Sequence, residues 1–204
     1  MTKVCLKPRN NYLSLKMIVP EEPDQGVIIM PDLVRKEPRW GHVMETGPGV
    51  VDMRGELTER IAHQGDLVYT TAHGRELVRL GVGENTHVVS ELDVLGKMED
   101  LETMRFQPFG DLIQIKKKEH KEDLSEIILP DDRRLPPGVG TVVKLGLGWR
   151  SYDGYDVPMQ VKEGQNIAFD PWKVLVIDLS DLGVEEKLYL VSHGDIYGIL
   201  EDEE

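Results

Sequence analysis

A repeat of half the chain length constrains this 204-residue sequence more than any other feature. The stretch DQGVIIMPD (residues 24–32) sets an apolar run before a proline in charged surroundings, and LSEIILPD (residues 124–131) does so again. Pro31 and Pro130 lie 99 positions apart. Four further pairs match in the same order. LKPRNNYLSLK (residues 6–16) matches FQPFGDLIQIK (106–116) at an offset of 100, and GHVMETGPG (41–49) matches GTVVKLGLG (140–148) at 99. QGDLVY (64–69) matches EGQNIA (163–168) at 99, and VSELDVLG (89–96) matches VSHGDIYG (191–198) at 102. Two copies of one domain therefore lie in tandem, at residues 1–97 and 105–204, with the acidic stretch MEDLETM (98–104) as the linker.

Each copy reads as β structure. Residues 12–18 and 112–116 alternate apolar and polar side chains, which places Leu13, Leu15 and Met17, or Ile113 and Ile115, on one buried face. Short Val-, Ile- and Leu-rich runs follow around Val43, Val68, Leu77, Val88 and Val94, and again around Val142, Ile167, Val174, Leu190 and Ile196. Many short strands at close spacing predict an all-β protein of two small barrels, because closure removes the edges that five or six strands leave open. The charged run at 115–127 is the one place where a helix competes with that reading.

Charge narrows the partners. The net charge of −13 opposes nucleic acid and anionic lipid, both of which need basic side chains. It is unevenly spread. Twelve Lys and Arg against 14 Asp and Glu leave residues 1–97 at −2, whereas 12 against 23 leave the remainder at −11. The single Cys5 excludes an internal disulfide and a cysteine-rich zinc site. Apolar runs reach about four residues where a membrane helix needs about 20, and the first residues carry no apolar signal core, so the chain as given reads as cytoplasmic.

Motifs of catalysis are missing: no HExxH, CxxC, Walker loop or GxSxG occurs. The six histidines do not recur at matched positions, as ligands built into a repeated fold would. The GxG at Gly47 and its match at Gly146 read as tight reversals that need positive φ. Asp93 and Asp195 match ahead of the closing strand and read as turn contacts. No enzyme, metal or cofactor is expected.

The apolar runs remain. Pro20, Glu21, Glu22, Pro23 and Asp24 before the first, and residues 35–38 after it, suit a solvated loop. Its apolar residues are then either core strands ending at proline or side chains offered to a partner. β-branched residues favour the extended form that docks in a groove.

With these segments in view, each copy resembles the co-chaperonin family typified by GroES. The shared pattern is an opening φ-x-P-x-x-x-φ-φ-φ-φ-K strand, a long loop with an apolar tripeptide, and G-x-V-φ-x-x-G-x-G. After a hairpin come V-x-x-G-D-x-V and S-x-x-D-φ-φ-G-φ. The resemblance covers nearly the whole chain, and its layout is similar to chloroplast-type double co-chaperonins. It implies a lid for a GroEL-type chaperonin, with tripeptides Ile28-Ile29-Met30 and Ile127-Ile128-Leu129 entering an apical groove, Gly26 as a loop hinge, and ATP acting on the partner alone. It also implies roof hairpins turning at Arg54-Gly55 and Asp153-Gly154. The family's double glycine is Gly26-Val27 in copy one and Ser125-Glu126 in copy two, so both loops should be stiffer and the second should bind less well.

The lid of this family has seven barrels, and fused pairs supply only even numbers. The expectation is a ring of three or four chains that leaves one position vacant or one barrel displaced. The source stays open between a bacterium, a virus-infected bacterium and a mature chloroplast protein. A structural ring protein that has lost chaperonin binding is the alternative. An enzyme of the alcohol dehydrogenase kind, which shares the barrel, would need zinc ligands and a GxGxxG domain.

Overall fold

A computed structural model describes residues 6–19, 39–51, 55, 57, 60–71, 75–76, 85–118, 137–150 and 155–201. Regular structure among them is β-strand and short 3-10 turns, as the alternating patterns predict. Copy one contains β1 (Tyr12–Met17), β2 (Trp40–Thr46), β3 (Leu67–Thr70), β4 (Arg75–Glu76), β5 (Thr86–Ser90) and β6 (Val94–Asp100). Then come β7 (Arg105–Pro108), β8 (Leu112–Lys117), β9 (Gly138–Leu145), β10 (Trp149–Arg150), β11 (Asp156–Val157), β12 (Asn166–Phe169), β13 (Leu175–Asp178), β14 (Lys187–Ser192) and β15 (Ile196–Leu200).

The two main sheets have the orders β4-β5-β1-β2-β3-β6-β7 and β13-β14-β8-β9-β12-β15. Strand β1 is antiparallel to both β2 and β5, and β8 to both β9 and β14. Each is central in its sheet, with a neighbour along both edges, and Ser14 and Gln114 are buried beside the expected Leu13, Leu15, Met17, Ile113 and Ile115. Two separate apolar cores result. Leu13, Leu15, Val43, Val68 and Val89 fill the first; Ile113, Ile115, Val142, Ile167 and Val191 fill the second at matched positions.

Sequence matching treats residues 106–116 as one opening strand of copy two, and here the fold differs. Gly110, at φ 58°, breaks that stretch into β7 and β8, as Asn10 at φ 52° breaks its counterpart in copy one. Strand β7 then pairs with β6, Gly96 facing Pro108, Lys97 facing Gln107 and Met98 facing Phe106. The first strand of copy two is thus the last strand of copy one's sheet. Acidic residues 98–104 form the hairpin between them: Met98–Asp100 continue β6, and Asp100 accepts hydrogen bonds from Glu102 N and Thr103 Oγ1 within the turn. Local side chain to backbone bonding of this kind is what Asp and Thr bring to turns.

A third apolar cluster lies between the copies. Trp40, Met98 and Phe106 pack there with Ile177, Leu179, Leu188 and Leu190. On β2 the side chain of Val43 turns into the first core, and Trp40, fully buried, turns out of it towards copy two.

Candidate partner-binding loops and their anchorage

All six tripeptide residues, Ile28, Ile29, Met30, Ile127, Ile128 and Leu129, lie outside the described residues, as do Gly26, Arg54, Asp153 and Gly154. What is defined is how the segments that carry them are held. Residues 20–38 leave from the end of β1 and return at β2, two strands paired directly with Met17 opposite Gly41. Ile18 N donates to Trp40 O at 2.8 Å and closes the neck. Residues 119–136 leave from β8 and return at β9 in the same way, with Lys118 N donating to Val139 O at 3.0 Å. Each long segment is a single excursion whose two ends are hydrogen-bonded to each other.

The necks share geometry and differ in chemistry. Copy one's is apolar and locked: Met17 is buried, Ile18 packs on the cluster between the copies, and the Trp40 indole donates to Asp178 O at 3.1 Å. Copy two's is the exposed run Lys116, Lys117 and Lys118, with the Lys117 ammonium 4.8 Å from the centre of the Tyr189 ring.

The hairpins behind the GxG motifs are present at their ends. Strand β10 pairs with β11, Trp149 opposite Val157, and in copy one a lone bridge joins Val51 to Leu57 around Gly55, whose φ is 81°. The GxG reading needs one correction. Gly49 and Gly148 do have positive φ, 104° and 81°, but the first glycines, Gly47 and Gly146, are required by close approach instead. A Cβ there would stand 2.4 Å from Asn10 O or 2.3 Å from Gly110 O, so the backbones themselves would collide.

Asp93 and Asp195 act at turns through their main chains. Asp93 O accepts from Thr71 N, and Asp195 O from Asp170 N, both at 3.0 Å. Sequence reasoning missed the residues beside them. Glu91 Oε1 accepts from Ile61 N and Ala62 N, each at 3.0 Å, and at the matched place His193 Nε2 accepts from Gln160 N at 3.2 Å. One task, tying down the chain behind the hairpin, falls to a carboxylate in one copy and an imidazole in the other. Searching for recurring residue types could not find it.

Among the described residues no group of three or more His, Cys, Asp or Glu side chains could hold a metal ion, and no helix is long and apolar enough to cross a membrane.

Comparison with known proteins agrees with this architecture. The family model for the chaperonin 10 kDa subunit matches twice, over residues 5–98 and 105–200. The co-chaperonin GroES of Desulfotalea psychrophila is 37% identical over 94 residues, which are 46% of this chain and 98% of the relative. The chloroplastic 20 kDa chaperonin of Spinacia oleracea is 25% identical over 169 residues, 82% of this chain and 65% of the relative. One relative matches a single copy and the other runs across both, and the chain belongs to the chaperonin 10 kDa subunit family, as a tandem of two of its domains.

Proposed function

We propose that this protein is a co-chaperonin that caps a GroEL-type chaperonin through the apolar tripeptides of residues 28–30 and 127–129, so that a client polypeptide folds in a closed chamber while the partner hydrolyses ATP. It needs no cofactor of its own and works in the cytoplasm as a ring of three or four chains. The observation that carries this reading is the pair of necks. In both copies a long segment with an apolar triplet at its middle is pinned at two adjacent strands, so the triplet can be presented to a partner without disturbing the barrel. Anchors of this size gain about 1.5 to 3 kcal/mol each on burial, and several on one ring multiply by effective concentration.

A pull-down with a GroEL-type chaperonin, with and without ATP, tests it. Wild type is retained in the presence of nucleotide; Ile29→Asp loses retention while melting normally, and Ile128→Asp loses less. If Ile29→Asp unfolds the protein, the triplet is a core strand instead. Retention of neither wild type nor mutant, with ring assembly intact, favours the purely structural alternative.

A further inference from the structure

One buried polar side chain of copy two has no protein partner, and it opens into a cavity at the seam. Gln114, on the central strand β8, is 7% exposed, yet its side-chain amide makes no hydrogen bond among the described residues. Nor is the amide sealed in. Among the described residues the fully enclosed side-chain atoms without a partner belong to Arg60, so the amide of Gln114 faces the cavity of about 200 Å³ that this residue lines. Its counterpart Ser14 has no such need, because the hydroxyl donates to Glu45 O at 3.5 Å. Burying an amide costs free energy unless its donors and acceptor are met, and this site therefore calls for a polar occupant.

The cavity lies where the hairpin of β6 and β7 rests on β8 and β9. The hairpin supplies Glu99 and Arg105, whose carboxylate and guanidinium stand 3.5 Å apart, and the Phe106 ring, 1% exposed. Copy two supplies Gln114, Lys144 directly opposite it in the ladder, and Val143 alongside. Lys144 has no ion pair among the described residues. Two cations, one carboxylate, an amide that both donates and accepts, and an apolar wall thus line one small space. Pockets for drug-sized ligands run to roughly 300 to 1,000 Å³, so this one suits a smaller molecule. Copy one does not repeat the charge: Ser14 and the anion Glu45 stand at the positions of Gln114 and Lys144.

We infer that this cavity binds a free acidic amino acid, which bridges the two copies. Charge complementarity decides the class. The pairing that meets every group sets the α-carboxylate on Arg105, the ammonium on Glu99, and the second carboxylate on Lys144 and the Gln114 N–H donors, with the methylenes against Phe106 and Val143. An inorganic phosphate would set its charge against Glu99 and bring no carbon to the apolar wall, and a neutral amino acid would leave one cation unmet. The bound ligand ties the seam hairpin to β8 and β9, so it stabilises the joined copies by mass action. None of this depends on whether the protein caps a chaperonin.

NMR titration of the full chain with L-glutamate tests this, beside glutarate, which lacks the ammonium, and glycine, which lacks the second carboxylate. Wild type is expected to show saturable shifts of the Gln114 side-chain amide and a melting temperature that rises with L-glutamate. Both controls bind about tenfold more weakly or worse, as the loss of one charged hydrogen bond requires. Lys144→Gln, at a half-buried site, lowers affinity by a similar factor and folds as wild type. Gln114→Leu, which has similar volume and no amide to satisfy, melts no lower than wild type without ligand and loses the response. Absence of saturable shifts at millimolar L-glutamate, or a Lys144→Gln protein that binds like wild type, overturns the inference. So does glutarate binding as tightly as L-glutamate, since Glu99 then plays no part. Equal binding of N-acetyl-glutamate amide overturns it in favour of an acidic residue within a peptide.

Discussion

The indole nitrogen of Trp40 donates a hydrogen bond to the backbone carbonyl of Asp178 at 3.1 Å, joining the neck of the first loop to a strand of the second copy. The ring is fully buried, and it closes the cluster between the copies. Trp40→Ala should therefore cost about 3 to 5 kcal/mol, the range for removing a buried large aromatic, and should split one calorimetric transition into two as the copies uncouple. Trp40→Phe keeps most of the packing and gives up the hydrogen bond, at about 1 kcal/mol. A single unshifted transition in Trp40→Ala would mean that the copies fold independently of this contact.

Gly96→Ala tests how closely β7 lies against β6. The added methyl meets the main-chain carbonyl of Gln107 and the Phe106 ring, and a carbonyl held in a ladder cannot swing aside. Overpacking of this kind costs roughly 1 to 3 kcal/mol, measurable as a lower denaturant midpoint. Gly198→Ala, the matched change, should leave the midpoint where it was.

Glu91 holds two backbone N–H groups and faces Arg60, whose Nη1 is 3.5 Å from Glu91 Oε2. Among the described residues Arg60 Nε and Nη2 are buried with no hydrogen-bond partner, and the ion pair with Glu91 compensates that charge. Glu91→Ala should lose about 2 to 3 kcal/mol, since hydrogen bonds to a charged group are the stronger kind. Glu91→Gln should recover part of it. Amide exchange at Ile61 and Ala62 reports the same loss locally.

The seam turn gives a titration to follow. The Thr103 hydroxyl, then Glu102 N–H, hold the Asp100 carboxyl below its usual range, with Arg105 adding a smaller pull. A folded-state value below the unfolded one means that the turn is favoured above the unfolded value and loses that favour as pH falls through the folded value. Thr103→Ala should move the Asp100 titration upward by NMR; no movement would show that the hydroxyl is not what lowers it.

Much of this fold was legible because it is local and doubled. The alternation that buries Leu13 and Leu15 recurs at Ile113 and Ile115, and each copy corroborated the other. The partner of β7 was not legible, since strand pairing is a long-range choice and residues 105–108 carry the same pattern whichever sheet they join. Trp40 escaped notice for a related reason. Its burial comes from the other copy, through residues such as Ile177 and Leu190 that lie far from it in sequence. The tripeptides were visible as apolar residues in a charged setting, but their role depends on a second molecule.

The placement of β7 also orders events during synthesis. Chains fold as they emerge, N-terminal units first, and β6 is followed after a four-residue turn by the strand that seals it. The edge most able to recruit a wrong neighbour is therefore protected while the rest of copy two is still unmade. Among the described residues, strand β15 has no such successor in its own sheet. On a polysome, where nascent chains crowd one another, the first copy is shielded from its neighbours by the next few residues of its own message.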